Sequence, residues 1–298
     1  MTKAGFIALI GQPNAGKSTL INALLGARLA LTSHKANATR KILKAIIPYT
    51  DKTGAECQMV FLDTPGLCTQ EKLLNRAMVA QSHSAFEACD LAVFVAGIHD
   101  SLKAYEEFLK WRSASKPHLL ALNKIDTATN AQVLAKLKDY TPYSQHFKAL
   151  IPISAQKGRN LNALLDEVVK LLPNAPFYYD PDMLGDIQMR EIYAEIIREQ
   201  IFKFLSDEIP YESAVLVKAV QEQEHIEKIQ AQIIVAKESQ QKMVIGKGGA
   251  VVKKIGQEAR RNIEGFIQKK VFLRLEVVVQ KNWTSMQDQL KKMGYVVE

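Results

Sequence analysis

The sequence predicts an α/β domain built on a mixed, mostly parallel sheet, followed by a smaller α+β domain. Three observations carry that prediction. Through residue 172, short apolar runs alternate with helical patterns. Pro173, Pro176 and Pro181 then fall within nine residues, which confines the chain to extended or turn conformations. Past that segment the pattern becomes helix, strand, strand, helix, strand, too few strands to repeat the first architecture. The predicted division is 1–172 for the first domain, 173–186 for a linker and 187–298 for the second domain with its tail.

Each element has its own signal. "GFIALI" reads as the opening strand, and a helical pattern follows Lys17. "LKAIIPY" and "CQMVFL" are separated only by the hairpin-like "TDKTGAE", so that pair should be antiparallel. "LAVFVA", "HLLALN" and "LIPIS" supply the remaining strands, and the last helix, "LNALLDEVVKLL", is stopped by Pro173. In the second domain Ile192, Tyr193, Ile196, Ile197, Ile201, Phe204 and Leu205 recur at helical spacing, and Pro210 should end that helix. Strand-like stretches follow at about 213–220 and 229–236. A helical run then extends to about residue 268. In "VFLRLEVVV", Val271, Leu273, Leu275, Val277 and Val279 share one face of a final strand.

The 298 residues are 47% hydrophobic and 23% charged, ordinary values for a soluble globular protein. A net charge of +8 makes an acidic partner worth considering. Cys57, Cys68 and Cys89 are widely spaced with no CxxC pair, so neither a zinc site nor a disulfide framework is expected, and a reduced, cytoplasmic setting fits. The longest apolar stretch, "LAVFVAGI", is too short to span a bilayer, and the N-terminus has no signal-peptide pattern.

"GQPNAGKS", from Gly11 to Ser18, fits the phosphate-loop spacing between a strand and a helix. Gly11 and Gly16 permit the turn and the close approach, and Lys17 reaches the outer phosphates. The Ser18 hydroxyl is placed to ligate Mg²⁺. The bland reading is a glycine-rich surface turn, and three further segments in order argue against it. "MVFLDTPG" ends a strand at Asp63, where a Mg²⁺-side carboxylate is needed, and the Gly66 amide can meet a γ-phosphate. "LLALNKID" places Asn123, Lys124 and Asp126 at the end of another strand. A carboxylate there can accept two hydrogen bonds from a guanine edge and reject adenine. "IPISAQKG" offers Ser154 and Ala155 toward the guanine O6. Each alone reads as a turn or loop; together they point to a guanine-nucleotide site. The residue after Gly66 is Leu67, which cannot orient a water as a glutamine does, so slow intrinsic hydrolysis is expected.

A second glycine loop, "VIGKGG", lacks the phosphate-loop spacing. Gly246, Lys247, Gly248 and Gly249 instead fit G-x-x-G, the loop with which KH domains clamp about four nucleotides of single-stranded RNA. In the helix that follows, Lys253, Lys254, Gln257, Arg260 and Arg261 fall opposite its apolar face. From Lys237 to Arg274 there are ten Lys or Arg against three Glu, so charge is concentrated around this loop. The alternative is a solvated basic face behind a structural turn.

With these residues in hand, the chain resembles the Era family of bacterial GTPases. The resemblance rests on "GQPNAGKST", on "MVIGKGGAVVKKIGQEAR" and on Asn282-Trp283 after the last strand. It implies a P-loop GTPase domain followed by a type II KH domain. GTP or GDP would be held by residues Gly11, Gln12, Pro13, Asn14, Ala15, Gly16, Lys17, Ser18, Thr19, Thr39, Asp63, Thr64, Pro65, Gly66, Leu67, Asn123, Lys124, Asp126, Ser154 and Ala155. Mg²⁺ would sit on Ser18, Thr39 and Asp63. RNA would meet Gly246, Lys247, Gly248, Gly249, Lys253, Lys254, Arg260 and Arg261. It further implies binding to the 3′ end of small-subunit ribosomal RNA, assistance to small-subunit assembly, a monomeric state and a cytoplasmic location with peripheral inner-membrane contact. The family's switch stretch departs here: "KANATR" has Asn37 and Ala38 where Gln and Thr are usual, and Thr39 is kept. The runner-up reading is a protein-binding signalling GTPase whose second domain is an adaptor.

Overall fold

The computed structural model describes residues 2–26, 42–67, 73–111, 116–180, 189–205 and 209–292. They group into two compact units, Met1–Gln70 with Met78–Asp186, and Glu71–Ala77 with Ile187–Glu298.

In the first unit the order is β1 (Lys3–Ile10), α1 (Lys17–Leu25), β2 (Leu43–Thr50), β3 (Glu56–Asp63), α2 (Leu73–Ala88), β4 (Leu91–Gly97), α3 (Lys103–Trp111), β5 (His118–Asn123), α4 (Asn130–Asp139), β6 (Leu150–Pro152) and α5 (Leu161–Leu171). The strands lie in the order β2-β3-β1-β4-β5-β6. Only the β2–β3 pair is antiparallel, as the short connecting turn requires. β4 and β5 are buried along their whole length, because helices cover both faces of a parallel sheet. Alternation splits the core. Ile7, Leu9, Val93 and Val95 pack with Leu20 of α1 and with Leu164 and Val168 of α5. Ala8, Ile10, Ala92 and Phe94 pack with Phe86, Tyr105 and Phe108 on the other face. α5 stops where proline dictates: Leu172, before Pro173, is extended at φ −70°, ψ 141°.

This topology delivers chemistry to one edge. β1, β3, β5 and β6 run parallel, so their carboxyl ends, which lead into Gly11, carry Asp63 and Asn123 and lead toward Ser154, emerge on the same side of the sheet.

The second unit contains α6 (Met189–Phe204), β7 (Ala214–Glu222), β8 (Ile226–Val235), α7 (Glu238–Ile245), α8 (Ala250–Ile267), β9 (Lys270–Val279) and α9 (Gln287–Lys292). Its sheet is β7-β8-β9, antiparallel then parallel. Tyr193, Ile197 and Ile201 of α6 and Ile255, Ala259 and Ile263 of α8 cover one face of it. Trp283 is fully buried and donates from Nε1 to the Glu212 carbonyl at 2.9 Å, a core position.

Two features depart from the sequence reading. α7 was not expected. It is two turns long, buries only Gln240 and Val244, and so leaves no apolar periodicity. Side-chain hydrogen bonds hold it: Gln240 Oε1 accepts from the Ala236 and Lys237 amides, and Gln241 donates to the Val277 carbonyl of β9. α6 ends at Phe204, short of Pro210, which sits in a separate turn of 3₁₀ helix.

Candidate functional site

In the first unit, Gly11 to Ser18 wrap the amino end of α1. Gly11 lies against β4: a Cβ there would stand 2.2 Å from the Val95 carbonyl oxygen. Gly16 is left-handed at φ +100°, and a Cβ would strike Asn123 Nδ2 at 2.2 Å. Gly16 caps α1 without a side-chain hydrogen bond, so the first amides of the helix suit an anion. Lys17 is 5% exposed and donates to the Gly11 and Gln12 carbonyls at 3.0 and 2.9 Å, which holds its ammonium inside the loop.

The strand end at Asp63 is joined to this loop at several points. Ser18 Oγ donates to Asp63 Oδ2 at 2.6 Å, and Asp63 is fully buried. Thr64 Oγ1 donates to the Leu9 carbonyl at 2.6 Å, and the Leu67 amide donates to the Gly11 carbonyl at 3.0 Å. Gly66 touches Pro13 so closely that a Cβ would lie 2.6 Å from the Pro13 nitrogen. Ser82 of α2 donates to the Pro65 carbonyl at 3.0 Å, a link no sequence signal announced.

Asn123 proves to be a brace. It is 2% exposed; Nδ2 donates to the Ala15 carbonyl at 2.9 Å, and Oδ1 accepts from the Lys124 and Ala155 amides at 2.8 and 3.0 Å. One amide thus ties the phosphate loop to both loops at the base end. Lys124 is left-handed at φ 66°. Ser154 Oγ donates to Asp126 Oδ1 at 2.5 Å and accepts from the Lys157 amide, which orients the half-buried Asp126 carboxylate. Gln12, Asn14 and Thr19 also belong to the loop and α1, and Asn14 is left-handed at φ 64°. Thr39 falls outside the described residues, as does the rest of "KANATR".

The donor set fits Mg²⁺, a hard cation that takes oxygen ligands: a hydroxyl and a carboxylate already stand together at Ser18 and Asp63. Among the described residues no three His, Cys, Asp or Glu side chains form a metal cage. Mg²⁺ beside a nucleotide draws on few carboxylates plus phosphates.

In the second unit the glycine loop turns sharply between α7 and α8. Gly246, Gly248 and Gly249 have φ of 72°, 61° and 79°. A Cβ at Gly246 would hit Val251, whereas Gly248 and Gly249 face open space, which admits another chain's backbone. Lys247, Lys253, Lys254, Arg260 and Arg261 are all exposed. Lys254 Nζ rests 4.7 Å from the Phe204 ring centroid, and Arg261 pairs with Glu258 at 2.7 Å. Met243 and Ile245, exposed on α7 beside the loop, are apolar surface that the sequence reading left unassigned.

Comparison with known proteins agrees with both halves. A family model described as 50S ribosome-binding GTPase matches residues 6–124, and one described as KH domain matches residues 208–284. The chain is 56% identical to GTPase Era of Helicobacter pylori (strain P12) over 99% of this chain and 97% of the relative. It is 44% identical to GTPase Era of Campylobacter jejuni (strain 81-176), over 98% of each. Two solved structures superpose with TM-scores of 0.93 at 30% identity. One is a variant of Aquifex aeolicus Era bound to GDP·AlF4⁻, covering 99% of this chain and all of that one. The other is Era in complex with MgGDPNP and nucleotides 1506–1542 of 16S ribosomal RNA, covering all of both chains.

Proposed function

The chain belongs to the Era family of GTPases, and from that premise we propose a GTP-driven switch that binds the 3′ end of small-subunit ribosomal RNA and assists small-subunit assembly. One observation carries the reading. An open, triply glycine-kinked loop leads into a basic helix, in a chain whose other half links the phosphate-type loop to Asp63 through Ser18 and to Ala155 through Asn123. The whole-chain likeness to an Era in complex with nucleotides 1506–1542 of 16S ribosomal RNA supports the small subunit.

Residues 1–172 act as the GTPase domain, 173–186 as the linker and 187–298 as the KH domain. Lys17, Gly16 and the first amides of α1 hold phosphates. Ser18, Asp63 and Thr39 hold Mg²⁺, which when bound neutralises charge between the outer phosphates. The Gly66 amide meets the γ-phosphate. The Asp126 carboxylate reads the guanine edge while Asn123, Lys124, Ser154 and Ala155 fix the surrounding loops. Gly246–Gly249 and Lys253, Lys254, Arg260 and Arg261 grip the RNA backbone. Leu67, half-buried against apolar neighbours, leaves the attacking water unoriented, so unassisted turnover is slow and a bound partner accelerates it. The protein works as a cytoplasmic monomer, with the family's peripheral inner-membrane contact.

The test is titration of a short RNA copying the small-subunit 3′ end, against a scrambled control, over a salt series and with a GTP analogue or GDP. Specific, salt-sensitive binding that responds to nucleotide is expected. Gly248→Asp should abolish it with GTP affinity intact: the position is open, Asp tolerates a left-handed φ, and its charge repels phosphate. Equal weak binding to both RNAs would instead favour the adaptor reading.

A further inference from the structure

The chain that leaves α5 is gripped more firmly than a linker needs to be. Asn174 bridges to Lys3, the Ala175 amide donates to the Thr2 carbonyl, and Thr2 Oγ1 donates back to the Ala175 carbonyl at 3.0 Å. Three residues past Ala175, Gln58 takes hold. It is the third residue of β3, flanked by Ala4 of β1 and Pro48 of β2, and is 2% exposed. Its Oε1 accepts from the Tyr178 and Tyr179 amides at 2.9 and 3.1 Å, and its Nε2 donates to the Tyr179 carbonyl at 2.8 Å. One buried side chain therefore satisfies three backbone groups of a segment with no secondary structure of its own. The Tyr178 ring packs tilted against Phe6, centroids 5.1 Å apart, yet stays 47% exposed, so the segment lies at the surface.

What lies beneath this segment is the nucleotide machinery. Gln58, Val60 and Leu62 point to the same face of β3, and Tyr179 packs with Val60, Leu62 and Ala85 of α2. β3 then ends at Asp63, which bonds Ser18. α2 makes the second connection: Ser82 holds the Pro65 carbonyl, and Ala85, one turn on, touches the cluster that seats Tyr179. A contiguous path of bonds and packed atoms runs from the Asp63–Gly66 segment through α2 and β3 to residues 178–179. The larger stretch of the second unit begins eight residues after Tyr179, at Ile187.

We propose that residues 174–180, clamped by Gln58, form a strap whose seat on β3 and α2 reports the nucleotide state to the RNA-binding half. This rests on the reading above that nucleotide alters RNA binding, and it assigns that coupling to one side chain. A γ-phosphate that pulls on Gly66 shifts Pro65, Ser82 and with them Ala85; the seat of Tyr179 changes, and the strap tightens or lets go. Gln58 itself touches no nucleotide, so it is a positioning residue for the coupling and not for hydrolysis.

Gln58→Leu tests this, because it keeps the buried volume and removes all three hydrogen bonds. The readout is the ratio of RNA affinities with a GTP analogue and with GDP, together with GDP affinity and amide hydrogen exchange at Tyr178 and Tyr179. In the unaltered protein the ratio should depart from one by at least about fivefold, and both amides should exchange at different rates in the two states. In Gln58→Leu the ratio should fall to within about twofold of one, with GDP affinity unchanged and RNA binding in the GDP state retained. If that variant folds poorly, Tyr178→Ala, at an exposed side chain, should reduce the ratio in the same direction. A variant that keeps the full ratio, or amides that exchange alike in both states, overturns the strap alone. A ratio of one in the unaltered protein overturns the coupling and the strap together, and a failure to bind RNA at all overturns the functional reading on which both stand.

Discussion

Replacing Asn123 by alanine removes the brace that joins the phosphate loop to the base loops. Three backbone groups lose their partners: the Ala15 carbonyl and the Lys124 and Ala155 amides. A buried polar group left unpaired costs about 1–3 kcal/mol, and these lie beside a site that water can enter, so the low end applies to each. The sum, about 3 kcal/mol, falls on the arrangement that nucleotide needs and not on the sheet core. GDP affinity should therefore weaken on the order of 100-fold, with only a small change in melting temperature of the nucleotide-free protein. Fluorescent-GDP titration alongside thermal unfolding measures both. Asn123→Asp sharpens the test: it keeps the acceptor for Lys124 and Ala155 but sets a carboxylate against the Ala15 carbonyl, so it should bind no better than the alanine variant. GDP affinity within threefold of the unaltered protein in Asn123→Ala would refute the brace.

Two further predictions follow from contacts in the first unit. Gly66→Ala places a Cβ 2.6 Å from backbone at Pro13, which cannot yield as a side-chain tip can; affinity for a GTP analogue should drop at least tenfold while GDP affinity changes less, read by competition titration. Asp166 of α5 accepts from Tyr49 at 2.7 Å and pairs with Lys52 at 2.7 Å, anchoring the β2–β3 hairpin. The Lys52 hydrogen bond, then that of Tyr49, holds the Asp166 carboxyl below its usual range, and the bond to Asp166 pushes the Tyr49 phenol up to about 12. Stability from the lowered carboxyl is present above about pH 4 and lost as the group protonates below it. Stability from the raised phenol is present below about pH 10 and lost toward 12. The melting-temperature gap between the unaltered protein and Asp166→Asn should be level from pH 5 to 9 and close at both ends; a gap independent of pH would refute the anchoring, and high salt should narrow it.

The sheet was legible because its signals are local. "LAVFVAG" and "HLLALN" are continuous apolar runs of strand length, and only a parallel sheet covered on both faces buries every residue in such a run. The order of β2 and β3 followed from a turn too short for a crossover. The phosphate loop was legible because its spacing is fixed by ligand geometry. The bracing was not. Asn123 sits within a motif, yet nothing in "NKID" says that its amide faces Ala15 and Ala155, residues 108 and 32 positions away. Ser82 and Gln58 look like ordinary polar residues of an amphipathic helix and a strand. Their role depends on which backbone groups the fold brings opposite them, which is a property of topology rather than of periodicity. α7 escaped for a related reason, since it is held by glutamine side chains and buries little apolar surface.

The Ser18–Asp63 contact bears on the proposal that these two residues hold Mg²⁺. A serine hydroxyl has one hydrogen and two lone pairs. Its hydrogen is committed to Asp63 at 2.6 Å, so the lone pairs face away from that carboxylate. Asp63, fully buried at the end of β3 and in register with Leu9, cannot drift from this position. In the proposed site the hydroxyl would go on donating to Asp63 while its oxygen accepts the metal. The consequence separates two substitutions. Ser18→Thr keeps the hydroxyl on the same carbon and should retain the tightening of GDP that Mg²⁺ provides. Ser18→Ala loses it: GDP affinity should become nearly independent of Mg²⁺ concentration, while affinity in the presence of a chelator stays within a few-fold of the unaltered protein, because Lys17 and the α1 amides still hold the phosphates. Titration of fluorescent GDP across a Mg²⁺ series distinguishes the cases, and an alanine variant that still tightens with Mg²⁺ would place the cation away from Ser18 and Asp63.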